Sequence, residues 1–468
     1  MYPGCWLGKT GILRAAKSKT HHPCSRRSAP VRCSMSVSLH RLLGLCLCVA
    51  VLGLPAGCKS SEQMEEQSSS APAQPSTQPD LAALSETVRT IQLYRGDDER
   101  RLPVVSIDNG TALTLEFDLM EEQGRPLSVY FQHADRTWRR DLQPSQALES
   151  FQNDRLVDYR SSRGTDVSYV HYQYRFPNDD IRFRVSGNYI LRVTERGRRD
   201  SVLFERPFFV TEKQGNLQLG AESLPIPGQQ RPMIQPRVRF TPPSEIRGDS
   251  FGHAVCFVRN GRLADTRCVD RPLLARQPEL EFELERERAY APATVEHRID
   301  LSELRSRTQI ARVERTNSPI QAVLDPDYAR FDESTLKGDL NGQTIVRSAL
   351  TSRVDPVLSA EYVETTFTFV PSDKRPYTSP PVVAGSFSGM DPARGTRMEW
   401  NAVQGQYEGT VLLKQGIYPY FYSTSDPALA REIRGTQRRF TSTYMAFVYY
   451  RDARLNTDRL LQVNGFAP

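Results

Sequence analysis

The sequence predicts an all-β protein of tandem β-sandwich domains, which follow a lipoprotein signal peptide and a flexible tether. Three observations predict this fold class. Short apolar segments rich in Val, Phe and Tyr alternate with turn clusters along most of the chain, which is typical of β-strands. Helical periodicity is not sustained anywhere, and Ser145–Leu156 is the one helix-like stretch. Finally, an apolar run and then a polar, Pro-rich run precede the first predicted strand.

Residues 1–57 are predicted to be a signal peptide, although translation could instead start at Met35. Arg41 precedes an apolar run that is too short to span a bilayer but suits the apolar region of a signal peptide. The run ends in LPAGC (54–58), and small residues before a cysteine resemble a bacterial lipobox. Cys58 is therefore predicted to be lipidated, although Pro55 stands where that pattern has leucine. An ordinary signal peptide with cysteines in its apolar run is the alternative.

Residues 58–85 are predicted to be a flexible tether. They are rich in Ser, Gln, Pro and Glu and poor in apolar residues, so they cannot bury a core. The segment 1–57 carries eight basic residues and no acidic one, so removing it changes the formal charge from +6 to about −2. A nearly neutral chain gives no electrostatic reason to expect nucleic-acid binding.

Residues 86–212 are predicted to form an N-terminal β-sandwich domain. Seven short strands separated by polar turns have the number and spacing of such a domain. These strands are Arg89–Tyr94, Leu113–Phe117, Leu127–His133, Val167–Tyr174, Ile181–Val185, Tyr189–Val193 and Val202–Val210.

Two further β-rich segments are predicted after it. Residues 213–345 are assigned to a middle domain with linkers, of which 213–236 is the first. This domain contains a hairpin at 253–270 and a charged strand at 280–289. Residues 346–468 are assigned to a C-terminal β-sandwich. Its strands are Tyr362–Val370, Pro381–Phe387, Gly409–Leu413, Tyr418–Tyr422 and Tyr444–Arg451.

The cysteines of the mature chain suggest one disulfide. Only Cys58, Cys256 and Cys268 lie beyond the signal peptide, and lipidation of the first leaves an even pair. Cys256 and Cys268 flank Asn260-Gly261, a strong hairpin-turn signal. In an oxidising periplasm they could form a bond, but a strict two-residue turn would pair 256 with 265, so the bond needs a longer loop or a bulge.

Motifs for catalysis and cofactors are missing from the sequence, so no enzyme, no cofactor and no metal are expected. The four histidines beyond the signal peptide have no metal-ligand neighbour at short spacing, and there is no CxxC, HExxH, GxSxG, Walker or dinucleotide motif. We predict that His133 is hydrogen-bonded and Trp138 packed where a strand meets a turn. Catalysis would require a pocket in which His133 or His171 meets an acidic residue.

A group of tyrosines has two interpretations. At alternate positions of a strand, Tyr418, Tyr420 and Tyr422 share one sheet face. With Tyr444, Tyr449 and Tyr450 they could form a face that stacks on sugars or binds a protein. A sandwich core with amphipathic rims is the commoner meaning of such a pattern.

An ordered series of motifs resembles the plug proteins of type IX secretion systems. The series begins with IQLYR (91–95), LTLEFDL (113–119), FQNDRLVDYRSS (151–162), YVHYQYRFPNDD (169–180) and SGNYILRV (186–193). It continues with RNGRLAD (259–265), VEHRIDL (295–301), GDLNG (338–342), GQYEGTVLLKQGIYPYFY (405–422) and TSTYMAFVYYRDARLNTDRLL (441–461). The resemblance covers about 86 to 463. It departs from the family at Ala134, often cysteine there, and at Gly389-Met390-Asp391-Pro392, where a tryptophan is common.

The resemblance implies a periplasmic protein that seals the outer-membrane translocon β-barrel by surface complementarity, without catalysis or a small-molecule substrate. With a lipid at Cys58, the anchor would lie in the inner leaflet of the outer membrane.

The C-terminal segment also resembles the early-set sandwiches appended to glycan-processing enzymes, so the sandwiches are expected to be immunoglobulin-like or early-set-like. A lipid-anchored carbohydrate-binding protein is the alternative function. Exposed, coplanar Tyr or Trp rings would favour it.

Overall fold

The computed structural model describes residues 78–108, 110–225, 232–276, 278–291, 296–306, 309–329, 335–336, 340–349, 355–435, 439–440 and 442–467. Within these ranges most of the regular structure is β-strand, which confirms the all-β fold class. Almost all of the strands form three two-layered arrangements, which we name the first, second and third sandwich.

The first sandwich lies within residues 88–211. Its elements are β1 (Val88–Arg95), β2 (Val104–Ser106), β3 (Leu113–Leu119), β4 (Leu127–Ala134), α1 (Pro144–Ala147), β5 (Asn153–Leu156), β6 (Tyr159–Ser161), β7 (Val170–Phe176), β8 (Gly187–Glu195) and β9 (Val202–Thr211). One sheet has the order β1-β3-β7-β6 and the other β2-β9-β8-β4-β5. Their facing side chains form one apolar core. Phe117, for example, lies between Tyr172 of its own sheet and Phe204 of the opposite sheet.

Strand β3 explains how the first sandwich meets the rest of the chain. Its sequence LTLEFDL alternates apolar and polar residues, which predicts one buried and one solvated face. The apolar positions face the core as expected, but all seven residues are buried. The polar face, including Glu116 and Asp118, is therefore covered by another part of the chain.

Six further strands follow between Asn216 and Glu283. They are β10 (Asn216–Leu224), β11 (Met233–Thr241), β12 (His253–Arg259), β13 (Arg267–Val269), β14 (Leu274–Arg276) and β15 (Glu279–Glu283). The segment 213–236 was expected to be a linker, and this was wrong, because β10 and β11 form a continuous antiparallel ladder from Asn216↔Thr241 to Leu224↔Met233.

The chain from His297 onward first forms the third sandwich and then adds its last two strands to the second sandwich. The elements of this part of the chain are β16 (His297–Asp300), β17 (Ile310–Glu314), β18 (Ile320–Leu324), β19 (Asp327–Tyr328), β20 (Thr335–Leu336), β21 (Ile345–Val346), α2 (Pro356–Ser359), β22 (Tyr362–Val370), β23 (Val382–Gly385), β24 (Thr396–Arg397), β25 (Glu399–Asn401), β26 (Gln406–Lys414), β27 (Gly416–Ser423), α3 (Pro427–Gly435), β28 (Arg439–Phe440), β29 (Tyr444–Asp452) and β30 (Thr457–Phe466). Short 3-10 turns occur at Ser244–Ile246, Ser250–Gly252, Leu263–Asp265, Arg286–Arg288, Ser386–Ser388 and Pro392–Arg394.

The second sandwich is assembled from two distant parts of the chain. One sheet has the order β10-β11-β15-β14, and the other has the order β13-β12-β29-β30. Strand β12 pairs with β29 over its whole length, from His253↔Tyr450 to Arg259↔Tyr444. The core between the two sheets contains residues from 217–290 and from 444–461.

The third sandwich is therefore inserted into the second. Strands β16, β27, β23 and β24 form one of its sheets, and β17, β18, β22, β26 and β25 form the other. Since β16 to β19 precede residue 345, strand pairing crosses the boundary expected between 345 and 346.

Two local expectations in the first sandwich were wrong. The helix expected at Ser145–Leu156 is a single turn, α1, followed by β5. The strand expected at Ile181–Val185 has the alternating burial of a strand, but only one isolated bridge, Leu148↔Phe183, joins it to a neighbour. Alternating burial shows only which side chains face the core. A strand also needs a neighbouring strand that accepts and donates backbone hydrogen bonds along its length, and this segment has no such neighbour beyond the one bridge.

Candidate functional site

Cys58, the predicted lipidation site, lies outside the described residues, as does most of the expected tether. The end of that tether is fixed on the folded body. The Ala82 amide donates to a Glu205 carboxylate oxygen over 2.7 Å, and Arg394 donates to the carbonyl oxygen of Leu81 over 3.0 Å. Residues 78–85, which we name the strap, therefore link the first and third sandwiches and are not part of a free tether.

Cys256 and Cys268 form a disulfide that joins β12 to β13. They are direct cross-strand partners. The Asn260-Gly261 turn has positive φ at both residues, as a tight hairpin turn requires. The 3-10 turn Leu263–Asp265 supplies the extra loop residues that bring 268 rather than 265 opposite 256.

His133 and Trp138 lie where the first sandwich meets the second, and both are nearly fully buried. The His133 Nδ1 atom is 2.7 Å from Asp141 Oδ1, and its Nε2 atom is 3.1 Å from the Ser186 carbonyl oxygen. The Trp138 ring packs against Phe209. The bonded histidine and packed tryptophan agree with the prediction for this turn.

Strands β29 and β30 make the other side of this first–second interface. Phe447 packs on Phe209 with ring centroids 4.4 Å apart, and Tyr449 donates a hydrogen bond to Asn188 over 2.8 Å. Charged side chains surround these apolar contacts. Asp458 lies 3.0 Å from Arg136, and Arg459 lies 2.7 Å from Glu212. Such charge-assisted contacts fix orientation as well as adding stability.

A buried polar cluster forms the first–third interface. The carboxylate of Asp118 lies 2.7 Å from the Lys414 ammonium and 2.8 Å from His171 Nδ1, and it accepts a hydrogen bond from Tyr362 over 2.7 Å. Lys414 also donates to the Val357 carbonyl oxygen over 2.6 Å. Asp118 is 0% and Lys414 1% exposed, so this ion pair is fully removed from water.

The charges in this cluster shift each other's protonation. Burial alone would raise the pKa of Asp118, but Lys414 and the His171 ring outweigh it and hold that pKa below its ordinary value. Burial alone would lower the pKa of His171, but its hydrogen bond with Asp118 and the Glu116 carboxylate, 3.8 Å from Nε2, raise that pKa above its ordinary value. The cluster therefore favours an ionised Asp118 and a protonated His171.

Each of these histidines meets an acidic residue, as a catalytic histidine would, but neither is accessible. The His133 ring is bonded at both nitrogens, and His171 is covered by the third sandwich and is only 3% exposed. A third pair, His297 with Asp327 at 2.9 Å, stacks under Tyr420. The sequence did not predict any of these three pairs, because the two members of each pair are separated in the chain. His133 and His171 are thus buried at the two interfaces of the first sandwich, and His297 is buried within the third.

The tyrosine group is part of the cores, not of an open face. The hydroxyls of Tyr420 and Tyr422 both donate to Asp327, at 2.7 and 2.9 Å. The rings of Tyr418, Tyr420, Tyr422, Tyr444 and Tyr449 are at most 5% exposed, and only Tyr450 is partly exposed. The platform that would have favoured sugar stacking is therefore not formed by these rings.

The part of the chain that the structure describes contains no cluster of three or more potential metal ligands. It also contains no helix that is long and apolar enough to cross a membrane.

Exposed apolar side chains mark the surface of the first sandwich near one sheet edge. Phe151 is 66% and Val157 60% exposed, and they flank β5, the edge strand of the five-stranded sheet. Both belong to the segment 151–162 that contributes to the family resemblance. Phe251 and Val403, at 74% and 97% exposure, lie in the parts of the chain that form the other two sandwiches.

Comparison with known proteins gives one family and one related fold. Residues 88–212 match the family model described as the type 9 secretion system plug protein 1st domain. A crystal structure of a hypothetical protein from Parabacteroides merdae ATCC 43184 is similar with a TM-score of 0.73. The two sequences are 22% identical, and the similarity covers 83% of this chain and 99% of that chain, which shows a shared fold. No curated protein sequence matches this chain.

The matched segment begins and ends with the first sandwich, from β1 to just after β9. The predicted family is therefore confirmed for this part of the chain: residues 88–212 belong to the family of type 9 secretion system plug protein first domains.

Proposed function

We propose that this protein is a periplasmic plug that docks on the outer-membrane translocon barrel of the type IX secretion system and seals it without catalysis. The observation that carries this proposal is the match of residues 88–212 to the plug protein first domain. The ordered motifs that extend to residue 461 support it over the other two sandwiches.

The way in which the sandwiches are joined suits a plug. A barrel wide enough for folded cargo has a water-filled lumen and would leak when idle. A body that closes the barrel must be rigid. Two buried interfaces, the first–second and the first–third, fix the first sandwich to both of the others. Closure would then depend on surface shape and polar contacts, which need no reactive residue.

Lipidation at Cys58 is the second part of the proposal. An anchor in the inner leaflet of the outer membrane, with residues 58–77 as its tether, would raise the concentration of the plug near the barrel without any new contact. The Cys256–Cys268 disulfide supports an oxidising compartment such as the periplasm.

The test is a pull-down of the tagged mature protein from its own envelope in mild detergent, with partners identified by mass spectrometry. We expect one very large outer-membrane barrel in near-stoichiometric amount at several salt concentrations. Recovery of glycan-processing enzymes without a barrel would instead favour the carbohydrate-binding alternative. Recovery of neither would refute the docking proposal.

Matched surface variants can locate the contact in the same experiment. Phe151→Ser with Val157→Ser changes two exposed apolar residues of the matched domain, and Phe251→Ser with Val403→Ser changes two exposed residues elsewhere. Exposed positions tolerate such changes with little loss of stability. Loss of the barrel with the first pair alone would assign docking to the β5 edge, whereas equal recovery with both pairs would exclude it.

Cys58→Ser separates anchoring from docking. We expect this variant to leave the membrane fraction, to lose the mass of a lipid, and still to bind the purified barrel. A membrane fraction and mass unchanged by the substitution would refute lipidation at this residue.

A further inference from the structure

A cavity of about 130 Å³ lies where all three sandwiches and the strap meet. The first sandwich contributes Arg206 and Phe209 from β9, and the second contributes Val258 and Leu263. Met390 of the third sandwich also lines the cavity, as do Gln78, Pro79 and Leu81 of the strap. The walls are mainly apolar, which is the usual character of a ligand pocket.

Arg206 is the polar group of this cavity that lacks a counter-charge. Within the described residues no carboxylate lies within salt-bridge distance of its guanidinium and no group accepts a hydrogen bond from it. Arg136, Arg192 and Arg459 are also partly buried, but each lies within 3.0 Å of a carboxylate. Arg206 is partly buried in this mainly apolar setting, so water solvates its guanidinium only in part and an anionic partner would be favourable.

The charged groups nearest to Arg206 do not neutralise its positive charge. Arg394 is itself positive, and its guanidinium donates to the carbonyl oxygens of Leu81 and Ala82. Asp391 accepts from the side chain of Gln78 and the amide of Ala393, and it lies 3.8 Å from Arg394. Burial, with the charge of Arg394 added, lowers the pKa of Arg206 to about 10, which still leaves the side chain protonated at neutral pH.

The charges that line the cavity define the ligand. Two guanidinium groups and one carboxylate leave a single excess positive charge. A monoanion would balance it, whereas a phosphate dianion would overcompensate it and face Asp391. A guanidinium matches the fork of a carboxylate through two parallel hydrogen bonds. The cavity is close in size to an apolar cavity of about 150 Å³ that holds benzene in an unrelated protein, so there is room for about six carbon atoms.

We propose that this cavity binds a carboxylate carried by a short apolar group, with Arg206 holding the carboxylate and Phe209, Val258 and Leu263 contacting the apolar group. Two sources share this chemistry: a free short-chain carboxylic acid, and the last residue of a peptide with an apolar side chain. Because all three sandwiches line the cavity, an occupant would stabilise the whole body by mass action. This inference does not depend on the plug proposal.

Binding is tested on the full mature chain by calorimetry and thermal melting. The probes are hexanoate and a short peptide that ends in leucine, and each is matched with its amide, which has the same shape but no charge. We expect the acids to bind at least tenfold more tightly than their amides and to raise the melting temperature. Binding of hexanoate alone would identify a free acid, and binding of the peptide alone a peptide terminus. Equal affinity of acid and amide, or no binding of either acid at millimolar concentration, would overturn the proposal.

Variants test the role of Arg206. Arg206→Gln should reduce acid binding at least tenfold and abolish the acid-dependent rise in melting temperature, and Arg206→Lys should recover part of both. Arg155→Gln, at an exposed position of the same sandwich, should leave both unchanged. Undiminished acid binding by a folded Arg206→Gln protein would also overturn the proposal. If that variant does not fold, the acid–amide comparison on the unaltered protein still decides.

Discussion

The ion pair between Asp118 and Lys414 allows a direct test of how the first and third sandwiches are held together. Replacing Lys414 by methionine keeps most of the length of the side chain but leaves the Asp118 carboxylate buried without its ammonium partner. Removing one member of a buried pair costs about 3–5 kcal/mol, because the remaining charge stays desolvated. Asp118 keeps its contacts with His171 and Tyr362, at 2.8 and 2.7 Å, so we expect a loss near the lower limit, about 3 kcal/mol.

Urea denaturation followed by tryptophan fluorescence measures this loss. The part of the chain that the structure describes has two tryptophans, Trp138 and Trp400. In proteins that keep only one of them, Trp138 reports on the first sandwich and its interface with the second, and Trp400 reports on the third. We expect both rings to report one shared transition in the protein with Lys414, and two separate transitions after Lys414→Met, because the charge left at the interface weakens the coupling between the sandwiches.

Two controls distinguish a buried interface from a general charge effect. Arg175→Met removes a pair with Asp97 whose side chains are 56% and 84% exposed, and we expect a loss below about 1 kcal/mol. The double change Asp118→Leu with Lys414→Met removes both charges and should recover much of the lost stability. A loss below about 1 kcal/mol for Lys414→Met, or a single transition retained in both reporters, would refute our account of this interface.

Three other perturbations test further contacts. A Cβ on Gly187 would overlap His133 Nε2, so Gly187→Ala should reduce the free energy of unfolding by about 2 kcal/mol or more. Gly197 also has positive φ but open space around it, so Gly197→Ala should cost only about 1 kcal/mol. Equal losses of the two variants in urea titrations would contradict the contact. The carboxylates of Asp118 and Glu116 outweigh burial and raise the pKa of His171. The contribution of His171 to stability is therefore complete below the unfolded-state pKa of about 6.5 and is lost as pH rises through the folded-state pKa. His171→Gln should therefore destabilise the protein more at pH 5.5 than at pH 8.5. Burial lowers the pKa of His253, so His253→Gln should show the opposite trend. Parallel pH profiles of the two variants would be evidence against both pKa shifts. Replacing both Cys256 and Cys268 by serine should reduce the free energy of unfolding by about 3 kcal/mol, because the bond closes a loop between residues 12 positions apart. If reduction leaves the mass of the intact protein unchanged, the bond is not formed.

The sequence predicts strands well where a strand has a clear pattern of its own. Strands β3, β8, β9 and β22 all lie within a few residues of their predicted bounds. The pattern fails for β10 and β11, where apolar residues are sparse and Pro236 suggests a break. Pro236 lies opposite Ala221 in the ladder with β10, but the ladder between β11 and β15 begins only at Arg237, so the missing amide of Pro236 costs no hydrogen bond of that second ladder.

The polar interfaces could not be predicted in the same way. Glu116 and Asp118 occupy the positions of β3 that a two-layer sandwich would leave in water, and their pattern is that of an ordinary solvated face. They are buried because the third sandwich covers them with Lys414 and Tyr362, which lie far away in the chain. Arg206 was missed for the same reason, since only the assembled junction shows that it has no partner. Alternation of apolar and polar residues within a strand identifies the two faces of that strand. Which other part of the chain packs on a face is determined by the whole fold.

The insertion of one sandwich into another has a consequence for folding as the chain is made. An emerging chain can complete the first sandwich early, but β12 must wait for its partner strand until Tyr444–Asp452 has also emerged. Until then one edge of β12 and the outer face around Trp138 and Phe209 remain uncovered. Open strand edges and apolar faces invite pairing with other chains and cleavage by proteases. A chain that has emerged only in part should therefore need a holding chaperone, and the pairing of the hairpin β29–β30 with β12 completes the second sandwich.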